Sequence, residues 1–375
     1  MFYYLALWLR EWWFPFNVFH YISFRSFVAF LLAFAFGLLL IPLFIKWIKK
    51  IYATYGGVVR RYLEHHAQKK FTPSLGGTVI VGVLILISFL FLRPNTPYPY
   101  LAAWVLLSFA LIGFVDDWLK ITRKDGIRAL TKLVLQFLFA FSIAVLMYKF
   151  LPIDKKLYFP IFKNFSVDLG KFYVIWATLF IVGFSNAVNI TDGLDGLAIG
   201  AALTTATVMS IVAYLSGNYL YANYLGIPYV PYAGELTILA FAFIGVGLAF
   251  LWFNTFPAKI FMGDIGSLAI GALLAFIALA TKSEFILLVA GFLFVWEIVS
   301  VIVQIAVCKL TKRVEKTEDE NGKVVKKTTC KRVFLMAPFH HHLEKMGWSE
   351  PQIVVRLWII SIVAGIISLT LLKLR

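Results

Sequence analysis

Of the 375 residues, 61% are hydrophobic, 17% aromatic and only 14% charged, and the mean hydropathy is +0.85. Such values exclude a soluble globular enzyme and indicate an all-α, polytopic membrane protein. The net charge of +16 suits anionic lipid headgroups or a polyanionic substrate, and without interleaved basic and aromatic motifs it does not recommend nucleic acid as a partner.

In chain order, the first twenty residues are no convincing signal peptide. Arg10 and Glu11 interrupt the apolar stretch and Pro15 breaks it, while Trp8, Trp12 and Trp13 suit the outer membrane interface. Apolar runs long enough to cross a bilayer follow at 24–45, 75–92, 100–119, 130–151, 173–188, 194–215, 236–253, 265–281, 285–307 and 353–372. The expectation is therefore about ten transmembrane helices.

If the basic loop 46–70 is cytoplasmic, alternation puts 120–132, 191–195, 254–264 and 309–350 on the same side and both termini outside. Lys46, Lys49, Lys50, Arg60 and Arg61 then serve topology or lipid headgroups. The outer segment 217–234, with Asn218, Pro228 and Pro231, is expected to form a small hairpin or interfacial loop. Alternating residues around Asn321-Gly322 predict a solvated hairpin insertion over 314–329, outside any active site. Cys308 and Cys330 both fall on the expected cytoplasmic side and are read as free thiols, with no disulfide or zinc framework. The whole of 1–375 reads as one membrane domain.

Polar signatures stand at the ends of these apolar runs, where carboxylates are costly unless paired, wet or metal-bound. In Asp116-Asp117-x-x-Lys120, Asp116 and Lys120 share a helix face and Asp117 projects about 100° away. A local ion pair is one reading and an active site the other. Asn186, Asn189 and Asp192 repeat every third residue, and Gly193-Leu194-Asp195-Gly196 allows a close backbone approach to a ligand, although a helix end and turn would also use these residues. Asp264, between Gly263 and Gly266, sits at a helix start, as an N-terminal cap or as a ligand of Mg²⁺. His340, His341 and His342 cannot all address one metal, so they suit hydrogen bonding to phosphate or carboxylate, or an interfacial loop. Lys69, Lys120 and Lys132 could neutralise phosphate on the same side.

Five motifs, in order, cover nearly the whole chain: Lys69-x-x-Thr72-Pro73-Ser74-x-Gly76-Gly77, Asp116-Asp117-x-x-Lys120, Asn186 through Gly196, Asn254-x-x-Pro257-Ala258-x-x-Phe261-Met262-Gly263-Asp264 and Pro338-x-His340-His341-His342-x-Glu344. Together they resemble the polyprenyl-phosphate N-acetylhexosamine-1-phosphate transferases, and most closely the muramoyl-pentapeptide branch of that superfamily. The hairpin over 314–329 is longer than the usual connection there.

That resemblance implies a Mg²⁺-dependent phosphoglycosyl transferase of the bacterial inner membrane with a cytoplasmic active site. It would move phospho-MurNAc-pentapeptide from UDP-MurNAc-pentapeptide to undecaprenyl phosphate, giving lipid I and UMP in peptidoglycan synthesis, and it would be a homodimer. Asp264 would hold Mg²⁺ against the diphosphate, and Asp116 and Asp117 would serve the lipid-phosphate side, with Lys120 and Lys132 available to neutralise phosphate. Lys69, Thr72, Ser74, Asn186, Asn189, Asp192, Gly193, Leu194, Asp195, Asn254 and Phe261 would bind substrate, Phe261 stacking on uracil, and His340, His341 and His342 would meet the sugar-phosphate region. Direct displacement and a two-step route through Asp264 or Asp117 both stay open. A sister transferase using UDP-N-acetylglucosamine is the near alternative. A secondary transporter is disfavoured, because the carboxylates sit at helix ends without visible repeats.

Overall fold

The computed structural model describes residues 2–55, 72–160, 162, 165–318 and 324–373. Helix α1 (Phe2–Leu9) and a 3-10 turn (Phe14–His20) lead into the long α2 (Ile22–Tyr55), followed by α3 (Gly77–Phe91), α4 (Tyr98–Arg123) and α5 (Ala129–Phe150). A small antiparallel pair, β1 (Lys156–Tyr158) and β2 (Ser166–Asp168), precedes α6 (Tyr173–Thr191), α7 (Leu197–Ser216), α8 (Tyr219–Leu225), α9 (Glu235–Asn254) and α10 (Gly263–Ala280). The chain continues through α11 (Glu284–Ala290), α12 (Phe292–Leu310), the antiparallel β3 (Arg313–Glu318) and β4 (Val324–Thr329), α13 (Phe339–Lys345) and α14 (Glu350–Thr370).

Nine helices among the described residues are long and apolar enough to span a membrane, so the protein is an all-α, multi-pass membrane protein. The expected span 75–92 is the shorter α3, because 72–76 is non-helical chain, with Pro73 and Gly76 hydrogen-bonded to Phe261. The expected span 285–307 is divided at Gly291 into α11 and α12. Segment 217–234 carries α8, capped by the Asn218 side chain, which accepts from the amides of Leu220 and Tyr221. Asn321 and Gly322 lie outside the described residues, but the strands flanking them pair in register from Arg313↔Thr329 to Glu318↔Val324.

The expectation of free thiols is overturned. Cys308 and Cys330 form a disulfide. Spacing in sequence hid it: the β3–β4 hairpin returns the chain to its starting point, which brings residue 330 back beside the last turn of α12.

The core is built around α10, whose membrane-spanning window is 94% buried. Helices α3, α4, α6 and α7 all pack on it. Without a strong hydrophobic drive between helices in lipid, close approach of backbones matters most. Gly113 of α4 supplies it, since a Cβ there would overlap the backbone of Asp264. The first turn of α10, which carries Asp264, is thus pressed directly against the stretch of α4 that leads into Asp116 and Asp117.

At the opposite end of the bundle, fully buried Arg25 of α2 forms a two-pronged pair with Glu235 of α9, at 2.7 and 2.8 Å, and donates to the Phe91 carbonyl at 2.7 Å. The Arg93 amide also donates to Glu235, and the ring of Tyr3 covers both guanidinium groups. This knot ties α1, α2, α3 and α9 together. Removing one partner leaves a buried charge without its mate, which typically costs about 3–5 kcal/mol. Glu235→Ala should therefore markedly lower the thermal midpoint of the detergent-solubilised protein, and pairing Arg25→Met with Glu235→Met should recover most of the loss. An unchanged midpoint in Glu235→Ala would show that the pair does not hold these helices.

Candidate active site

At the other end, the close of α4, the start of α5, the close of α6 and the start of α10 converge. Lys124 ends α4 in the left-handed region, and the chain turns back so that the Ile127 amide donates to Asp116 Oδ1 at 2.6 Å. Lys120 Nζ stands 2.8 Å from Asp116 Oδ2, 2.7 Å from Asp264 Oδ2 and 3.7 Å from Asp117 Oδ1. Lys132, from the first turn of α5, adds contacts of 2.7 Å to Asp264 and 3.2 Å to Asp116. Asn189 of α6 donates to Asp264 Oδ1 and to Ser267 Oγ, both at 2.8 Å. As its position on the helix requires, Asp117 is turned away from Asp116, and its Oδ2 accepts from the Ile265 amide at 3.4 Å.

The cluster sets three carboxyl groups, of Asp116, Asp117 and Asp264, against two ammoniums. Its carboxylate oxygens are hard donors aimed at a common point, now filled by Lys120 Nζ, and this donor set fits Mg²⁺. Among the described residues no three His, Cys, Asp or Glu side chains form a ready metal cage. Mg²⁺ needs none, because it binds through one or two carboxylates together with waters and substrate phosphates.

Other residues singled out from sequence build a frame beside this cluster. Asp195 Oδ2 accepts from the Ala258 amide at 3.0 Å, while the Asp195 amide donates to Glu350 at 2.8 Å. Asn254 accepts from the Gly196 amide and donates to the Ile260 carbonyl. The Phe261 amide donates to the Pro73 carbonyl, and its own carbonyl accepts from Gly76, so the segment carrying Thr72 and Ser74 is stitched to the segment entering α10. Ser74 donates its amide to the Tyr52 hydroxyl. The Phe261 ring is mostly buried and Leu194 is buried, whereas Thr72, Ser74, Asp192 and Gly193 are half-buried. Asn186 is bound across to Gln136 of α5 at 2.6 Å. Lys69 lies outside the described residues.

The three histidines diverge. His340 is fully buried and lies so close to Gly193 that a Cβ there would overlap its ring. His341 Nδ1 is 2.5 Å from Glu344 Oε2, and His342 Nδ1 accepts from the Leu335 amide at 3.1 Å.

Sequence reasoning missed Gln136, Ser267, Glu297 and Glu350. Gln136 follows Lys132 by one helical turn and so shares its face. Glu297 is a carboxylate inside an apolar span, which is itself a signal. Fully buried, it accepts the Phe339 amide at 2.7 Å and the His340 amide at 3.1 Å.

Residues 99–282 match the family model described as glycosyl transferase family 4. The phospho-N-acetylmuramoyl-pentapeptide-transferase of Aquifex aeolicus (strain VF5) is 53% identical over 376 residues, covering 100% of both chains. Those of Hydrogenobaculum sp. (strain Y04AAS1) and Desulfotalea psychrophila (strain LSv54 / DSM 12343) are 45% and 44% identical, again over 100% of both chains.

Gly263 gives the local geometry a direct test. Its φ is +73°, and a Cβ there would run into Asp117 Oδ2 and Ser74 Oγ. Gly263→Ala should cost about 1–2 kcal/mol from the left-handed backbone alone, with the carboxylate collision added. It should lower the thermal midpoint more than Gly82→Ala, a control position with open space around it. Equal midpoints would contradict the close packing at the start of α10.

Proposed function

The chain belongs to the phospho-N-acetylmuramoyl-pentapeptide transferases, and we propose that it transfers phospho-MurNAc-pentapeptide from UDP-MurNAc-pentapeptide to undecaprenyl phosphate, releasing UMP and leaving lipid I. The observation that carries this reading is the cluster in which Lys120 and Lys132 both bridge Asp116 and Asp264 at the ends of membrane helices. We place that end at the cytoplasmic face of the bacterial inner membrane, because the basic loops gather there.

An oxygen of the lipid phosphate attacks the sugar-bearing phosphorus, a new P–O bond forms, and the bond to UMP breaks with its electron pair leaving on UMP. Both reactants are anions, so charge neutralisation and in-line positioning carry most of the acceleration. The acceptor monoester has its second pKa near about 6 and is already largely dianionic at neutral pH. Little proton abstraction is required of Asp116, whose oxygens are engaged by Ile127, Lys120 and Lys132. In this reading it aims the two lysines. Asp264, with Asp117 and Asp116 nearby, would hold Mg²⁺, which when bound supplies charge stabilisation on the diphosphate oxygens. Both Asp264 oxygens are hydrogen-bonded, which favours direct attack by the lipid phosphate over a covalent enzyme intermediate.

Asn189, Asp192, Asp195, Asn254, Phe261 and Lys69 are assigned to the uridine side, and His340, His341 and His342 to the sugar-phosphate and peptide side. UMP release from purified protein with Mg²⁺ and undecaprenyl phosphate should be rapid with UDP-MurNAc-pentapeptide and slight with UDP-N-acetylglucosamine. Asp264→Asn should abolish turnover, and His341→Ala should weaken it by about 2 kcal/mol or more in kcat/KM. Equal turnover of both sugars would move the chain to the N-acetylglucosamine branch, and near-normal Asp264→Asn would remove Asp264 from the metal.

A further inference from the structure

Along helix α12 and the residue that caps its C-terminus, Glu297, Gln304, Cys308 and Thr311 are spaced by seven, four and three. At about 100° per residue these steps return each side chain to nearly the same direction, so they form one stripe about 20 Å long. All four bind one returning segment of chain. Thr311 Oγ1 accepts the Lys331 amide at 3.0 Å, Cys308 is bonded to Cys330, Gln304 Oε1 accepts the Val333 and Phe334 amides at 3.1 and 3.0 Å, and Glu297 accepts the Phe339 and His340 amides. The contacts run in order, so residues 330–340 lie antiparallel along the helix. Trp296 and Phe334 pack edge-on against Phe339 between the last two anchors.

We propose that this stripe positions the histidine run, with Glu297 as its decisive positioning residue and the Cys308–Cys330 bond as its far anchor. A lone carboxylate in a membrane helix is costly, and this one is satisfied by backbone amides at the point where the chain enters α13. Its 3.2 Å approach to His340 Nδ1 places the ring against Gly193. The stripe thereby sets the distance between the Asn186–Gly196 signature and His341 and His342. The inference rests on the proposed reading that His341 and His342 face the donor substrate.

Two readouts on the full-length protein in lipid nanodiscs test it: amide hydrogen exchange and the kinetics of UMP release. Losing hydrogen bonds to a charged acceptor should raise exchange at the Phe339 and His340 amides in Glu297→Ala by about tenfold or more. Exchange in α4 and α10 should not change. The same variant should lose kcat more than it raises KM for the nucleotide donor. Glu297→Gln keeps one acceptor oxygen and should recover part of both effects, which a change in packing volume alone would not produce. Cys308→Ser should raise exchange over 331–336 more than at 339–340.

Unchanged exchange at Phe339 and His340 in both Glu297 variants overturns the proposal. So does a folded Glu297→Ala with unchanged kcat. Should Glu297→Ala fail to fold, Glu297→Gln and Cys308→Ser decide on the same criteria. Absence of UMP release from the unmodified protein would instead sink the transferase reading, with the exchange results still judging the positioning role.

Discussion

Charge inside a membrane-spanning bundle must find its counter-charge or a full set of hydrogen bonds, because the surrounding dielectric leaves an isolated ion several kcal/mol too high. Among the described residues the fold meets this demand in several places, three of which shape the bundle. Arg25 and Glu235 neutralise each other at one end, Lys120 and Lys132 sit among Asp116, Asp117 and Asp264 at the other, and Glu297 is satisfied by two backbone amides. Each solution joins segments distant in sequence, so pairing of charge also fixes which helices are neighbours.

The same constraint explains why α10 lies at the centre. Asp264 is tolerable at its start only if α4, α5 and α6 all bring partners to it, and they reach it because Gly113 lets α4 approach the backbone of Asp264 itself. Apolar packing along α10 then holds the arrangement from behind, with buried residues from Ile265 to Ala280 on every side. The tight apolar helix and its polar tip are one device.

Much of this was readable from the chain. Apolar runs gave the spans, and the spacing of Asp116 and Lys120 gave their common face, because helical periodicity is local information. The separation of Asp117 from Asp116 followed from the same geometry. What was not readable depends on contacts between distant segments. The disulfide was missed because only the hairpin pairing brings Cys330 back to Cys308. Asn186 gave no sign that it would be taken up by Gln136, and Asn254 and Asp195 gave none that they would fasten the Gly193–Gly196 turn to the segment entering α10. The break at Gly291 was lost in a continuous apolar run, where composition is the same on both sides.

Exposure within the charged cluster gives it a direction. Side-chain exposure rises from 4% at Asp116 to 17% at Asp264 and 37% at Lys120, so the acidic floor is dry and Lys120 is its open edge. An ammonium has three donors. Lys120 directs its short contacts to Asp116 and Asp264, and Lys132 does the same, which leaves each lysine a further donor. The floor therefore fixes both cations as the protein folds, and for the transfer proposed above what would otherwise be a cost of reorganisation would be met in advance.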